Sequence, residues 1–158
     1  MKKLILLLLL IPIVSIAQNW NPTPQGLYDA YVIDVEGKSA SELYKATNDW
    51  IKETFPDAGE VIFSQTENEM VKFQGISGNS PNEIYFNILV QFKDNKYRVV
   101  PEKIQFFPSK VDFDVKYFYK KDGSIKGANG KVLNVAIDFF NNMHQGIDDK
   151  LNNKDSDW

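Results

Sequence analysis

His144 is the single histidine of this 158-residue chain, and no cysteine occurs anywhere in it. Thiol catalysis, a disulfide framework and cysteine metal sites are therefore excluded together. A lone histidine cannot build a histidine-based metal centre, and a Ser-His-acid triad would need partners that the spacing does not suggest. His144 follows Phe140 by four residues, beside the polar stripe of a helical segment, so packing on a helix flank is its expected role. The carboxylates fall into two groups. Asp112-x-Asp114 sets two on one face of an expected strand, and Asp148-Asp149 with Asp155 and Asp157 makes an acidic tail. Calcium takes such oxygens, but no calcium-loop signature surrounds them, and a solvated face is expected. Gly123, Gly127 and Gly130 fit neither a phosphate loop nor a dinucleotide fingerprint and read as turns. No catalytic, cofactor-binding or metal-binding residue is expected, and the protein is expected not to be an enzyme.

The first seventeen residues say where the chain works. Lys2 and Lys3 precede an apolar run from Leu4 to Val14, broken only by Pro12, and Ser15-Ile16-Ala17 offers small residues for a signal peptidase. That pattern is a secretory signal peptide, since the run falls well short of the ~20 residues a spanning helix needs. Localisation is therefore expected to be exported, periplasmic or secreted, with no membrane span after cleavage. No cysteine follows the run, so lipoprotein attachment is excluded.

Without the leader about 140 residues remain, one ordinary domain. Lys2 and Lys3 leave with it, so 18 basic and 21 acidic groups become 16 and 21, net −5. The charge is unevenly spread: net −6 over 18–82, +4 over 83–131 and −3 over 132–158. The middle segment could steer an anionic partner, although lysines filling the solvent face of exposed strands are the expected explanation. With Arg98 as the single arginine, nucleic-acid binding is not expected.

Residues 18–27 hold two prolines and a glycine and read as an extended linker, with Trp20 expected to dock on the domain. The domain is expected over 28–147 and a polar acidic tail over 148–158. Tyr28 to Val35 reads as a strand. Ser39-Ala40-Ser41-Glu42 is a capping box for a helix that ends before Pro56. Val61 to Thr66 and Met70 to Ile76 form a hairpin about Glu67-Asn68. Ile84, Phe86, Ile88, Val90 and Phe92 mark a core-facing strand. In the next strand, Lys96 to Phe107, apolar residues change parity at Pro101, which implies a bulge. Val111, Phe113, Val115, Tyr117 and Tyr119 alternate as a further strand. From Val132 to Ile147 the period is helical, with a narrow polar stripe at Asn134, Asp138, Asn141 and Gln145.

This order, with the leader and the words Val35-Glu36-Gly37-Lys38-Ser39, Leu43-Tyr44, Trp50-Ile51 and Lys96-Tyr97-Arg98, resembles an exported bacterial domain family of unknown function with a predicted TATA-binding-protein-like fold. The resemblance covers about Asp34 to Phe107. It implies an α+β, TBP-like β-α-β(4)-α fold: a curved antiparallel sheet with two helices packed on one face. An extra strand-like insertion precedes the last helix. The family carries no catalytic residues to transfer, and its fold name does not imply DNA binding.

The off-core face of the middle strands shows Tyr85, Leu89 and Phe107, and the 111–119 segment adds Phe118. These four form the candidate partner surface. The first functional reading is thus a non-catalytic exported binding or interaction module for an unknown protein or small-molecule partner. A carrier with a pocket between sheet and C-terminal helix is the alternative, and a carboxylate-dependent hydrolase a remote one. The two helices should touch through Ile51, Phe55 and the Ile137/Phe140 flank, which predicts a monomer. Mature protein from the producing cell should begin at Gln18, as intact mass or N-terminal sequencing will show. A membrane-bound product retaining Met1 would contradict the leader.

Overall fold

The structure, a computed structural model, describes residues 20–24 and 26–152; the leader and the chain beyond Asn152 lie outside the described residues. Tyr31–Asp34 forms β1, shorter than the expected 28–35 strand. Tyr28 is drawn out of it because its hydroxyl lies 3.1 Å from the carbonyl oxygens of both Ile104 and Phe113. Helix α1 runs over Ala40–Thr54 behind the capping box: Ser39 Oγ accepts from the Glu42 amide at 3.3 Å, and the Glu42 carboxylate from the Ser39 amide at 2.9 Å. Phe55 then turns extended before Pro56, whose ring disfavours a helical residue ahead of it. A single turn, α2 (Ala58–Val61), takes the expected start of the next strand, so β2 covers Ile62–Thr66. The hairpin at Glu67-Asn68 leads to β3 (Met70–Asn79), with Asn68 at φ 61°. β4 (Asn82–Lys93) and β5 (Lys96–Phe106) follow, joined at Asp94-Asn95.

The strands are all antiparallel, in the order β1-β5-β4-β3-β2. The parity change in β5 is a bulge one residue beyond Pro101. Ile88 pairs with Pro101 and Asn87 with Lys103, leaving Glu102 unmatched. That extra residue lets Tyr97 and Val99 on one side of it, and Ile104 on the other, all face the core.

The expected strand over 111–119 is not there. A two-residue β6 (Val111–Asp112) pairs with the far end of β5, and α3 (Val115–Phe118) follows. Asp114 stops the strand by capping the turn, its side chain accepting from the Lys116 amide at 2.9 Å. Alternation is lost with it: Val111 is exposed, whereas Phe113, Phe118 and Tyr119 are buried. Phe118 therefore leaves the expected partner surface. It has no exposed area and stacks on Phe106 at 5.7 Å, beside Phe113 at 4.5 Å.

The last helix, α4 (Gly127–Leu151), is longer at both ends than its 132–147 period suggests. Gly127 and Gly130 are inside it rather than in turns, and Asn129 donates its side-chain amide to the Tyr117 carbonyl. At the other end Leu151 is buried, so the first residues of the acidic tail are helical. Trp20 docks as expected, buried 4.5 Å from Phe140 in α4.

Helices α1 and α4 share the inner sheet face. Trp50 meets Phe73 of β3 and Phe139 of α4, and Phe86 of β4 stacks on Phe139 at 4.2 Å. The contacts that join the helices include Trp50 with Phe139 and with Gly146, and Ile51 of α1 is fully buried in the same core. Phe55 faces Phe73 and Phe86, and Phe140 faces Trp20 and Tyr31. A Cβ on Gly146 would stand 2.2 Å from Trp50 Cδ1. Gly146→Ala should thus destabilise by about 1–3 kcal/mol through overpacking, despite alanine's better helix propensity. Chemical denaturation with an unchanged slope will measure it; a neutral result would mean that the helices do not meet here.

Candidate functional site

With both helices on one face, alternation presents the other face as a set of cross-strand rows. Lys72, Leu89 and Val100 form the central row, with Gln74, Asn87 and Lys103 on one side of it. Beyond them lie Ile76, Tyr85, Gln105 and Asp112. On the other side Met70, Gln91, Arg98 and Val32 form the row nearest the β4–β5 turn. α2 and α3 do not cross to this side, since Ala58, Val61 and Phe118 pack against the core.

The face is apolar at its centre and polar around it. Leu89 and Val100 are half-buried between strands. The Lys72–Glu102 ion pair at 2.6 Å spans their margin, Glu102 being the residue freed by the bulge. Tyr85 Oη donates to Gln74 Oε1 at 2.7 Å and Gln105 Nε2 to Asp112 Oδ1 at 2.7 Å, which holds those side chains along the sheet. Asn87 Oδ1, at the centre of its row, is buried without a protein partner. Of the expected surface, Tyr85 and Leu89 lie on this face, and Phe107 follows the end of β5, half-buried, its amide bonded to the Glu83 carbonyl at 3.1 Å. Val32, Ile76 and Val100 belong to it and were not anticipated, because only the strand pairing aligns them with Leu89. At the β4–β5 end the face deepens into a concavity of about 510 Å³, lined by Val32, Glu69, Gln91, Lys93, Lys96 and Arg98.

Sequence reasoning also missed a buried cluster. Tyr31 Oη lies 2.8 Å from His144 Nε2, and Tyr97 Oη 3.0 Å from His144 Nδ1, so β1, β5 and α4 converge on one imidazole. The residues are up to 113 positions apart, and no local pattern signals them. Burial lowers the His144 pKa to about 4. Burial raises both phenols well above their ordinary value, aided for Tyr31 by Tyr97 and for Tyr97 by Asp148. All three groups are neutral at physiological pH. A neutral imidazole offers one donor and one acceptor, which matches two hydroxyls. The cluster is a tie between elements, not an acid–base pair open to substrate.

Of the carboxylates singled out by sequence, Asp155 and Asp157 lie outside the described residues, and the others have local partners. Asp112 accepts from Gln105, Asp114 caps α3 and pairs with Lys116 at 3.1 Å, and Asp149 accepts from Gln145 at 3.0 Å. Among the described residues no group of three His, Asp or Glu is placed to hold a metal ion, and no helix is long and apolar enough to cross a membrane. Between sheet and α4, where a carrier pocket was expected as the alternative, Phe73, Phe86 and Phe139 fill the space. A surface groove of about 390 Å³ remains at its mouth, lined by Trp50, Thr54, Gly78, Val135, Asp138 and Phe139.

Helices on one face of an antiparallel sheet, with no described helix on the other, make this a two-layer α+β domain. Residues 30–107 match the model of the family described as a domain of unknown function (DUF4468) with TBP-like fold. The chain is similar to the crystal structure of a DUF4468 family protein from Bacteroides ovatus, with 17% identity and a TM-score of 0.59, over 78% of this chain and 84% of that one. It is also similar to a TBP-like protein from Parabacteroides distasonis, with 18% identity and a TM-score of 0.54, over 79% of this chain and 92% of that one. No curated protein matches. These likenesses carry the fold, and the family carries no assigned activity.

The His144 tie has a pH signature. The unfolded imidazole titrates near 6.5 and the folded one near 4, so below 6.5 the unfolded state binds the extra proton. The stabilisation is full above about pH 6.5 and is lost as pH falls towards 4, by roughly 2 kcal/mol between pH 7 and 4.5. Urea titrations at the two pH values should show that loss, and His144→Gln should lack it. An equal loss in His144→Gln and in the unaltered chain would mean that His144 is not buried neutral.

Proposed function

We propose that this protein is a non-catalytic exported interaction module that binds a protein partner on the bare sheet face around Tyr85, Leu89 and Val100, with Phe107 at the margin. The observation that carries the reading is the composition of that face: a half-buried apolar row, Leu89 and Val100, inside a rim of polar side chains. Interfaces have this anatomy, an apolar centre within a polar margin. The breadth of the face suits a protein better than a small molecule, which takes an enclosed apolar cavity. The committed carboxylates and the shielded histidine support a binding role over a hydrolytic one. The leader supports export.

A small-molecule reading keeps one specific support, the groove against Trp50 and Phe139. Native mass spectrometry of mature protein recovered from its own producing cell separates the two. A bound protein that Leu89→Glu releases, with denaturation midpoint unchanged, is the expected result. A retained small molecule that survives Leu89→Glu and is lost on Phe139→Ala would replace this reading with the carrier.

A further inference from the structure

The positive charge of the middle segment is not concentrated on the bare sheet face. There Lys72 pairs with Glu102, and Lys93, Lys96 and Arg98 share their corner with Asp34 and Glu69. It gathers instead between β6 and α4. Residues 114–131 hold five lysines, Lys116, Lys120, Lys121, Lys126 and Lys131, against two acids, Asp114 and Asp122, for a net +3. Lys110 and Asp112, just ahead, cancel. Both acids of the segment are engaged. Asp114 meets the Lys116 amide and ammonium, and Asp122 accepts from the Ser124 amide and hydroxyl at 2.9 and 2.6 Å.

The fold draws these lysines to one place. Tyr119 and Ile125 form a bridge, and the Lys120 amide donates to the Ser124 carbonyl at 2.8 Å, closing a loop over 120–124. Lys126 donates its amide to the Phe118 carbonyl and its Nζ to the Lys116 carbonyl. Ile125 leans on the first turn of α4, its Cγ2 3.1 Å from where a Cβ on Gly130 would stand, and Lys131 follows that glycine. Residues 120–125 are all exposed, Ile125 by 46%. The 25-residue α4 turns its positive end to this loop, with no side-chain cap and no acid in its first turn. Tyr119 joins the segment to the N-terminal arm at Pro22, but the arm's Asp29 lies against Gly26 and lines a separate concavity with Trp20 and Tyr31.

We infer that this loop seats the domain on an anionic lipid surface, its lysines meeting phosphate headgroups and Ile125 entering the headgroup layer. Cations around an exposed apolar residue are the pattern that interfacial binding uses, whereas a soluble polyanion gains nothing from the isoleucine. The half-buried Tyr117, with Lys116 Nζ 5.2 Å from its ring centre, adds an aromatic of the kind that favours such interfaces. Attraction to a charged surface fades within a Debye length, so the contact is reversible and sensitive to salt. The inference does not depend on the partner proposed for Leu89.

Flotation of the mature chain with vesicles of pure phosphatidylcholine, and with vesicles containing one third phosphatidylglycerol, tests it. Binding to the anionic vesicles alone is expected at low salt, with release in molar salt. Lys120→Glu with Lys121→Glu turns the net +3 into −1 and should weaken binding by more than about tenfold. Both side chains are exposed, so the denaturation midpoint should not move. Because the chain has no cysteine, Ile125→Cys accepts a single environment-sensitive label, whose emission should shift to the blue on the anionic vesicles. Binding to soluble polyphosphate without that shift would overturn the inference by making the loop a polyanion site. No binding to anionic vesicles at low salt, or binding that the double reversal leaves intact, would overturn it too. So would loss of binding in Lys96→Glu with Arg98→Glu, which would move the contact to the sheet. Leu89→Glu should leave vesicle binding unchanged, so failure here and failure of the partner face are separate results.

Discussion

The stacking of Phe86 on Phe139 at 4.2 Å is the contact through which sheet and helices become one body. Phe86 belongs to the core-facing alternation of β4, so its direction commits every second residue of that strand, and through the ladder every strand beside it. Phe73, Trp50 and Phe55 complete the cluster from β3 and α1. A one-residue slip in β4 would turn Tyr85, Asn87 and Leu89 inward and leave Phe86 in water. The bare outer face is thus a consequence of the core: once alternation has spent the large apolar side chains inside, what faces outward is whatever remains.

What remains is not uniformly polar. Leu89, Val100, Val32 and Ile76 sit on the outer face, where a purely structural antiparallel sheet would carry hydrophilic residues. The bulge at Glu102 shapes this surface as much as the core. By adding one residue it keeps Ile104 in the interior and frees a carboxylate to meet Lys72 across the strands. A single irregularity therefore serves packing on one side and the rim of the candidate interface on the other.

The far edge of the domain is secured differently. β1 is four residues long and cannot hold its place by backbone pairing alone. Trp20 against Phe140, Tyr28 on the Ile104 and Phe113 carbonyls, and Tyr31 on His144 supply side-chain ties instead. Tyr119 reaches the Pro22 carbonyl at 2.7 Å, joining the α3 segment to the N-terminal arm. Polar groups in these ties are expensive to bury unless each finds its partner, so the edge is specified by matching hydrogen bonds where the centre is specified by shape.

The sequence alone carried the elements whose cause is local. The capping box of α1, the hairpin turns at Asn68 and Asn95, the core face of β4 and the parity change in β5 were all legible, because caps, turns and side-chain period act within a few residues. Alternation misled at 111–119, where Phe113, Tyr117 and Phe118 gather around Phe106 and the Asp114 cap overrides the pattern. The period of α4 understated its length, because Leu151 and Asn129 are held by Lys38 and by the Tyr117 carbonyl, partners far away in the chain. Of the candidate surface, Tyr85 and Leu89 followed from alternation. That Val32 and Val100 join them, that Phe118 does not, and that one imidazole collects Tyr31 and Tyr97 were decided by strand order and helix packing. Those are relations between residues distant in sequence, and no short-range signal encodes them.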